Sequence, residues 1–232
     1  MRKIGFSHGT IYKIIEKYQP SSIKIFKESG SNAIEICLYN ASEVEQLANI
    51  KEEVLDFSYK SIHLPTQNIV YKNDIQTLEF LDKIEKFYNE INASLVLVHP
   101  DLVEDWNVFD NYKINWAIEN MDNRKNKYKT MEELKEFFSK NINWKLVIDL
   151  NHCYSNDKTM NIAEDIISLF NDKIAEIHLS GYIELHEPLF ITKQDFIIDL
   201  CDKINVPIII ESIFDNIDDV KKEYEYINKK LN

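Results

Sequence analysis

Lys145-Leu146-Val147-Ile148-Asp149-Leu150-Asn151-His152 carries an apolar run straight into a carboxylate, with an imidazole three residues further on. Leu146 to Ile148 read as a strand buried on both faces. An ionised carboxylate is costly to desolvate unless something pairs with it, so Asp149 at the end of such a strand calls for a partner. The rest of the chain repeats the pattern. Strands are expected at Lys3–Phe6, Ala33–Cys37, Ser61–Leu64, Leu95–His99, Trp116–Glu119, Leu146–Asp149, Ile174–His178 and Pro207–Glu211. Between them apolar residues recur at helical spacing: Ile11 to Tyr18, Val44 to Ala48 behind a Ser42-x-x-Glu45 capping box, and Ile75 to Ile91. A weaker stretch covers Asp101–Tyr112. Further helices are expected through Leu134 and Phe137 behind Thr130-x-x-Glu133, Ile162 to Leu169, Phe196 to Ile204 behind Thr192, and Ile217 to Ile227. Eight apolar strands alternating with amphipathic helices, without a composition break, predict an α/β fold: one (β/α)8 TIM barrel domain over residues 1–232. A doubly wound open sheet would bring a glycine-rich first turn, and here that turn reads Ser7-His8-Gly9-Thr10.

Composition narrows the function classes. A net charge of −12 argues against a broad sequence-independent nucleic-acid surface. The four glycines form neither a phosphate-cradling loop nor a dinucleotide fingerprint, so no nucleotide cofactor is expected. No apolar run approaches a membrane span, and the start of the chain leads into a strand without a signal-peptide pattern. Cys37, Cys153 and Cys201 are widely spaced and odd in number, which fits a reducing cytoplasm.

The polar residues are informative by position. His8, His63, His99, Glu119, Asp149, His178 and Glu211 each lie at or just past the end of a different expected strand, and Glu35 lies inside the one strand without such a residue. All six histidines fall in strand-to-helix segments, His152 and His186 included. Singly, each has a bland reading: a hydrogen-bonded scaffold histidine, a helix N-cap, a salt-bridge partner. Together they converge on one barrel mouth, where desolvated charges of like sign are usually resolved by divalent cations. Mixed nitrogen and oxygen donors suit zinc, manganese, iron or cobalt, and more ligands than one ion needs imply roughly two or three ions.

The pattern resembles the xylose isomerase-like barrel superfamily, which includes endonuclease IV and many sugar isomerases and epimerases. Its shared core corresponds to Glu119 in Ile-Glu-Asn, Asp149 and His152 in Asp-x-x-His, His178 in Ile-His-Leu-Ser and Glu211 in Ile-Glu-Ser. In the epimerases, the resemblance implies, Glu119, Asp149, His178 and Glu211 hold one metal and the two glutamates move the proton. The further ligands of endonuclease IV correspond to His63, His99 and the Glu184-Leu185-His186 stretch, where Glu184 replaces an expected aspartate. The segment from Cys37 to Ser42 is short for a loop that enters a DNA groove.

On that ligand count the expected activity is phosphoester hydrolysis at a polynuclear site, with Glu119 bridging two ions and a metal-activated hydroxide attacking phosphorus. Abasic DNA or a small sugar phosphate would be the substrate. The expected ligands are His63, His99, Glu119, Asp149, His152, His178, Glu184, His186 and Glu211, with zinc first and manganese second. His8, Tyr71 and Arg124 are the candidate substrate contacts. The alternative is a sugar or sugar-phosphate isomerase or epimerase in which Glu119 and Glu211 exchange a proton. A non-catalytic metal-binding protein is the third reading.

Overall fold

The computed structural model describes residues 2–231. Eight parallel strands close into a barrel in chain order. They are β1 Ile4–Ser7, β2 Ala33–Cys37, β3 Tyr59–His63, β4 Leu95–Val98, β5 Trp116–Glu119, β6 Lys145–Asp149, β7 Ile174–Leu179 and β8 Ile208–Ile210. Closure comes from β1 against β8, with Ile4 opposite Ile208 and Phe6 opposite Ile210. Outside lie α1 Pro20–Glu28, α2 Lys51–Leu55, α3 Ile75–Glu90, α4 Met131–Lys140, α5 Leu150–Asn156, α6 Asn161–Leu169, α7 Leu189–Thr192, α8 Asp195–Cys201 and α9 Ile217–Leu231.

The strands read as unbroken apolar runs because both faces are buried, for different reasons. One set of alternate residues, among them Phe6, Ile34, Ile36, Ile62 and Ile148, belongs to the large cluster under the helices. The opposite set forms a small separate cluster of Leu95, Leu97, Ala117 and Val147 that fills the barrel interior. One step further along the inward-facing set come His63, Glu119, Asp149 and His178. Strand period alone therefore carries the site residues to the mouth.

The elements around the strands differ from expectation in local ways. No helix forms over Ile11–Tyr18: His8–Ile11 is a short 3-10 turn, and α1 starts later, at Pro20. Proline suits a first helical turn because the missing N–H would have had no partner there. Asn40, whose side chain accepts from Ser42 N, opens a 3-10 segment over Ala41–Asn49 in place of the Ser42 capping box. The Asp101–Tyr112 stretch is two short 3-10 turns. The Thr130–Glu133 capping box forms as written in the sequence, whereas Thr192 ends α7 and Gln194 precedes α8. Among the described residues no helix is long and apolar enough to cross a membrane.

One close approach sets the first strand pair. Gly5 lies opposite Ala33, and a Cβ at Gly5 would sit 1.7 Å from the Ala33 carbonyl oxygen. Backbone cannot yield cheaply there. Gly5→Ala is expected to lower the free energy of unfolding by about 3 kcal/mol or to prevent folding. Urea denaturation checks this, and a loss below about 1 kcal/mol would contradict the contact.

Candidate active site

The strand ends hold the key side chains in fixed relation. His63 and Glu119 close β3 and β5, Asp149 closes β6 beside His178 of β7, and Glu211 follows β8 directly, its N–H bonded to Leu179 O at 2.9 Å. The Asp-x-x-His spacing has a local cause. Asp149 is the N-cap of α5, and its Oδ1 accepts the backbone N–H of His152 at 2.9 Å. That cap folds His152 back over the mouth. Asn120 then clamps the corner: its Oδ1 accepts Asp149 N–H at 2.8 Å and its Nδ2 donates to Asp149 O at 3.1 Å.

Glu119, 1% exposed, is the hub. Its Oε1 lies 3.1 Å from His178 Nδ1 and 3.6 Å from His152 Nδ1; its Oε2 lies 2.9 Å from His99 Nε2 and 3.5 Å from His63 Nε2. The His99 contact is close but not aligned for a hydrogen bond, so Glu119 Oε2 has no hydrogen-bond partner, and neither has Asp149 Oδ2. Backbone carbonyls can only accept, and this sets two tautomers. His63 Nδ1 donates to Leu64 O at 2.8 Å, and His152 Nδ1 donates to Asn120 O at 2.8 Å. The neutral rings therefore aim the lone pair of Nε2 at carboxylate oxygens, Glu119 Oε2 for His63 and Asp149 Oδ2, 3.4 Å away, for His152. Lone pairs that face one another in a dry site need a cation between them.

The donor set fits a divalent metal. Glu119, Asp149, His178 and Glu211 each offer one atom within 4.8 Å of the others, and His63, His99 and Glu119 form a second group of the same tightness. These two groups share Glu119, and a third, Glu35, Glu176 and His178, shares His178 with the first. The ionisation behaviour tells the same story. Burial raises the Asp149 carboxyl to about 8. Burial alone would also raise Glu211, but the charge of His178 brings it down to about 2. Burial works against a charged His63, yet Glu119, Glu35 and Glu211 push it up to about 9. His178 and His152 are raised by their carboxylates against the same burial cost. Burial lowers His99 and His186. Without metal, protons do the neutralising.

The expected residues do not all reach the site. His63, His99, Glu119, His152, His186 and Glu211 line a cavity of about 410 Å³ at the mouth, and Asp149 and His178 lie in its floor. His186 is held by Ser180 Oγ at 2.9 Å from Nδ1. Glu184 is exposed and outside all three ligand groups. Glu187 accepts the backbone N–H groups of Ile183, Glu184 and Leu185 and so fixes a turn in which Glu184 is exposed. Tyr71 is fully buried with its hydroxyl on Pro65 O at 2.8 Å, a core residue without access to a substrate. His8 is also fully buried; its Nδ1 accepts Cys37 N–H at 2.9 Å, and burial with the Lys17 charge lowers its pKa to about 3. Arg124 does line the cavity, but its side chain forks onto Asp122. Asp122, Asn120 and Glu176 were not singled out in the sequence. A charged residue at an inward position of an apolar strand, as Glu176 is, was the available signal.

No protein-family model and no curated protein matches the chain. Solved structures do. A D-tagatose 3-epimerase-like protein superposes with a TM-score of 0.73 at 18% identity, over 100% of this chain and 97% of the other. A D-allulose 3-epimerase from Methylomonas sp. gives 0.69 at 17% identity, over 99% and 98%. A sugar phosphate isomerase/epimerase from Parabacteroides distasonis gives 0.62 at 13%, over 99% and 94%. At these identities the likeness is one of fold: the same (β/α)8 barrel, matched along nearly the whole of each chain.

These comparisons overturn the expectation of phosphoester hydrolysis. The matching structures named above, and an L-ribulose 3-epimerase beside them, are sugar epimerases, isomerases or epimerase-like proteins rather than phosphoester hydrolases. The structure supplies a physical reason, since the exposed Glu184 leaves the larger ligand ring without the carboxylate that stretch was expected to provide.

The titration pattern has a testable consequence for the metal-free protein. His63, His152, His178 and Asp149 all have raised folded-state pKa values. Their stabilising contribution is complete below their unfolded values and is lost as pH rises through the folded ones. Chelated protein should therefore lose stability between about pH 6.5 and 9, by at least about 1 kcal/mol. Thermal or urea unfolding across that range checks it; constant or rising stability would contradict the assignment.

Proposed function

We propose that the protein is a metal-dependent epimerase or isomerase of a small ketose, with Glu119 and Glu211 as its acid–base pair. The observation that carries this reading is the four-residue group in which both glutamates flank His178 Nδ1, at 3.1 and 3.4 Å, at the floor of the cavity. Two carboxylates around one substrate position allow a proton to be taken by one and returned by the other, which inverts the carbon between them. Glu211, the more accessible of the two, meets substrate from the open side; Glu119 is held from behind by imidazoles. His63, His99, His152 and His186 line the same cavity and are placed to bond sugar hydroxyls.

One ion bound by Glu119, Asp149, His178 and Glu211 would polarise the carbonyl next to the carbon that loses its proton. Three carboxylates and one imidazole suit manganese better than zinc. The His63–His99–Glu119 group depends on the same Glu119 that must move a proton, and we assign it to substrate rather than to a second ion.

The rim favours an unphosphorylated sugar. Arg124 is already paired with Asp122, and Lys125 lies 2.8 Å from Asp101. Neither cation is left free for a phosphate. Incubation with Mn²⁺ and D-allulose, D-tagatose or D-fructose in D₂O should place deuterium on the carbon beside the carbonyl. Glu211→Gln should reduce that exchange by about 10²- to 10⁴-fold while the protein stays folded. Absence of exchange with every ketose and ketose phosphate tried would defeat the proposal.

A further inference from the structure

Glu35 and Glu176 lie one layer deeper in the barrel than the mouth residues. Both are fully buried. They meet the side of His178 that faces away from the cavity: Nε2 lies 3.1 Å from Glu35 Oε2 and 3.2 Å from Glu176 Oε1. The hydroxyls of Tyr59 and Ser61 also face Glu176. The other carboxyl oxygens, Glu35 Oε1 and Glu176 Oε2, have no hydrogen-bond partner. The neighbouring interior is hydrocarbon, with Leu97, Ala117 and Val147. Packing gives no reason to bury two carboxyls there: each carries a desolvation penalty where an apolar side chain would stabilise the interior.

A neutral imidazole has one N–H and one lone pair. In the function proposed above, Nδ1 of His178 would give its lone pair to the ion that Glu119, Asp149 and Glu211 would also hold. The hydrogen must then sit on Nε2, where the two buried glutamates supply the acceptors. We infer that Glu35 and Glu176 are positioning residues: together they hold the Nε2–H of His178 and so present its Nδ1 to the metal. A carboxylate on the far nitrogen also makes an imidazole a stronger donor to a cation. The inference rests on His178 being a ligand, not on which sugar is turned over. The competing arrangement is a cation between Nε2 and the two carboxyls. It would turn an N–H toward Glu119 and Glu211 and remove His178 from the mouth site.

Mn²⁺ titration, read from the spin-resonance signal of the free ion, separates these cases on wild type, E35Q, E176Q and E35Q/E176Q. Unfolding of the metal-free forms is measured alongside. Amides keep the shape and remove buried charge, so the double variant should be at least as stable as wild type without metal. It should nevertheless bind Mn²⁺ about 10- to 100-fold more weakly. Wild-type affinity in the folded double variant overturns the inference, because a purely structural role leaves affinity unmoved. So does loss of one whole ion of two, which would make the pair a cation site. Nitrogen-15 NMR of zinc-loaded wild type needs no variant to fold: an Nε2–H on His178 supports the inference and an Nδ1–H overturns it. Wild type that takes up no ion at all would remove the mouth assignment itself, and this inference with it.

Discussion

The structure turns on neutralising carboxylates that parallel strands deliver into a closed barrel mouth. A strand end is a good place to aim a side chain and a poor place to hydrate one. Glu119 and Asp149 are each 1% exposed, and among the described residues the ion pairs they make are with histidines. Their neighbours are imidazoles, which compensate charge only when protonated or when a metal stands between. Backbone carbonyls decide which nitrogen of His63 and of His152 faces the carboxylates. The chain thus spends stability to hold donors that a proton or a metal ion must satisfy.

The same constraint links the scaffold to the chemistry. The apolar layer between sheet and helices contains nearly all of the large buried side chains, so the barrel does not depend on its polar mouth to stay folded. Asn120 bonds both backbone groups of Asp149, and Asn151 Nδ2 ties the β6 end to Gly181 O and Leu185 O at 2.6 and 2.7 Å. Donors held by backbone bonds of this kind need little rearrangement when an ion arrives.

Much of this was legible in the sequence, and the limits have physical causes. The strands announce themselves because parallel strands are apolar on both faces, and Glu119, Asp149, His178 and Glu211 stand out as charges ending such runs. The region from Ile11 to Tyr18 misled because its apolar spacing serves a turn packed on the barrel, while α1 begins at a proline further on. Tyr71 reads as a substrate contact in the sequence, since nothing local reveals that its hydroxyl is satisfied by Pro65 O. Glu184 reads as a ligand by its spacing from His186, but the turn organised by Glu187 leaves it exposed. Glu176 marks itself as a charge inside an apolar strand, but its partners depend on the placing of β7 against β2, a relation between distant strands. The choice of hydrolysis rested on His63, His99 and His186; residue type alone does not say whether an imidazole at the mouth meets an ion or a sugar.

Anomalous diffraction at the manganese edge, on crystals grown with Mn²⁺ and no chelator, tests the central claim most directly. The expected result is one strong peak at the barrel mouth, within bonding distance of Glu119, Asp149, Glu211 and the Nδ1 atom of His178. A peak held elsewhere, or full-occupancy protein with no peak among these four residues, would contradict the claim.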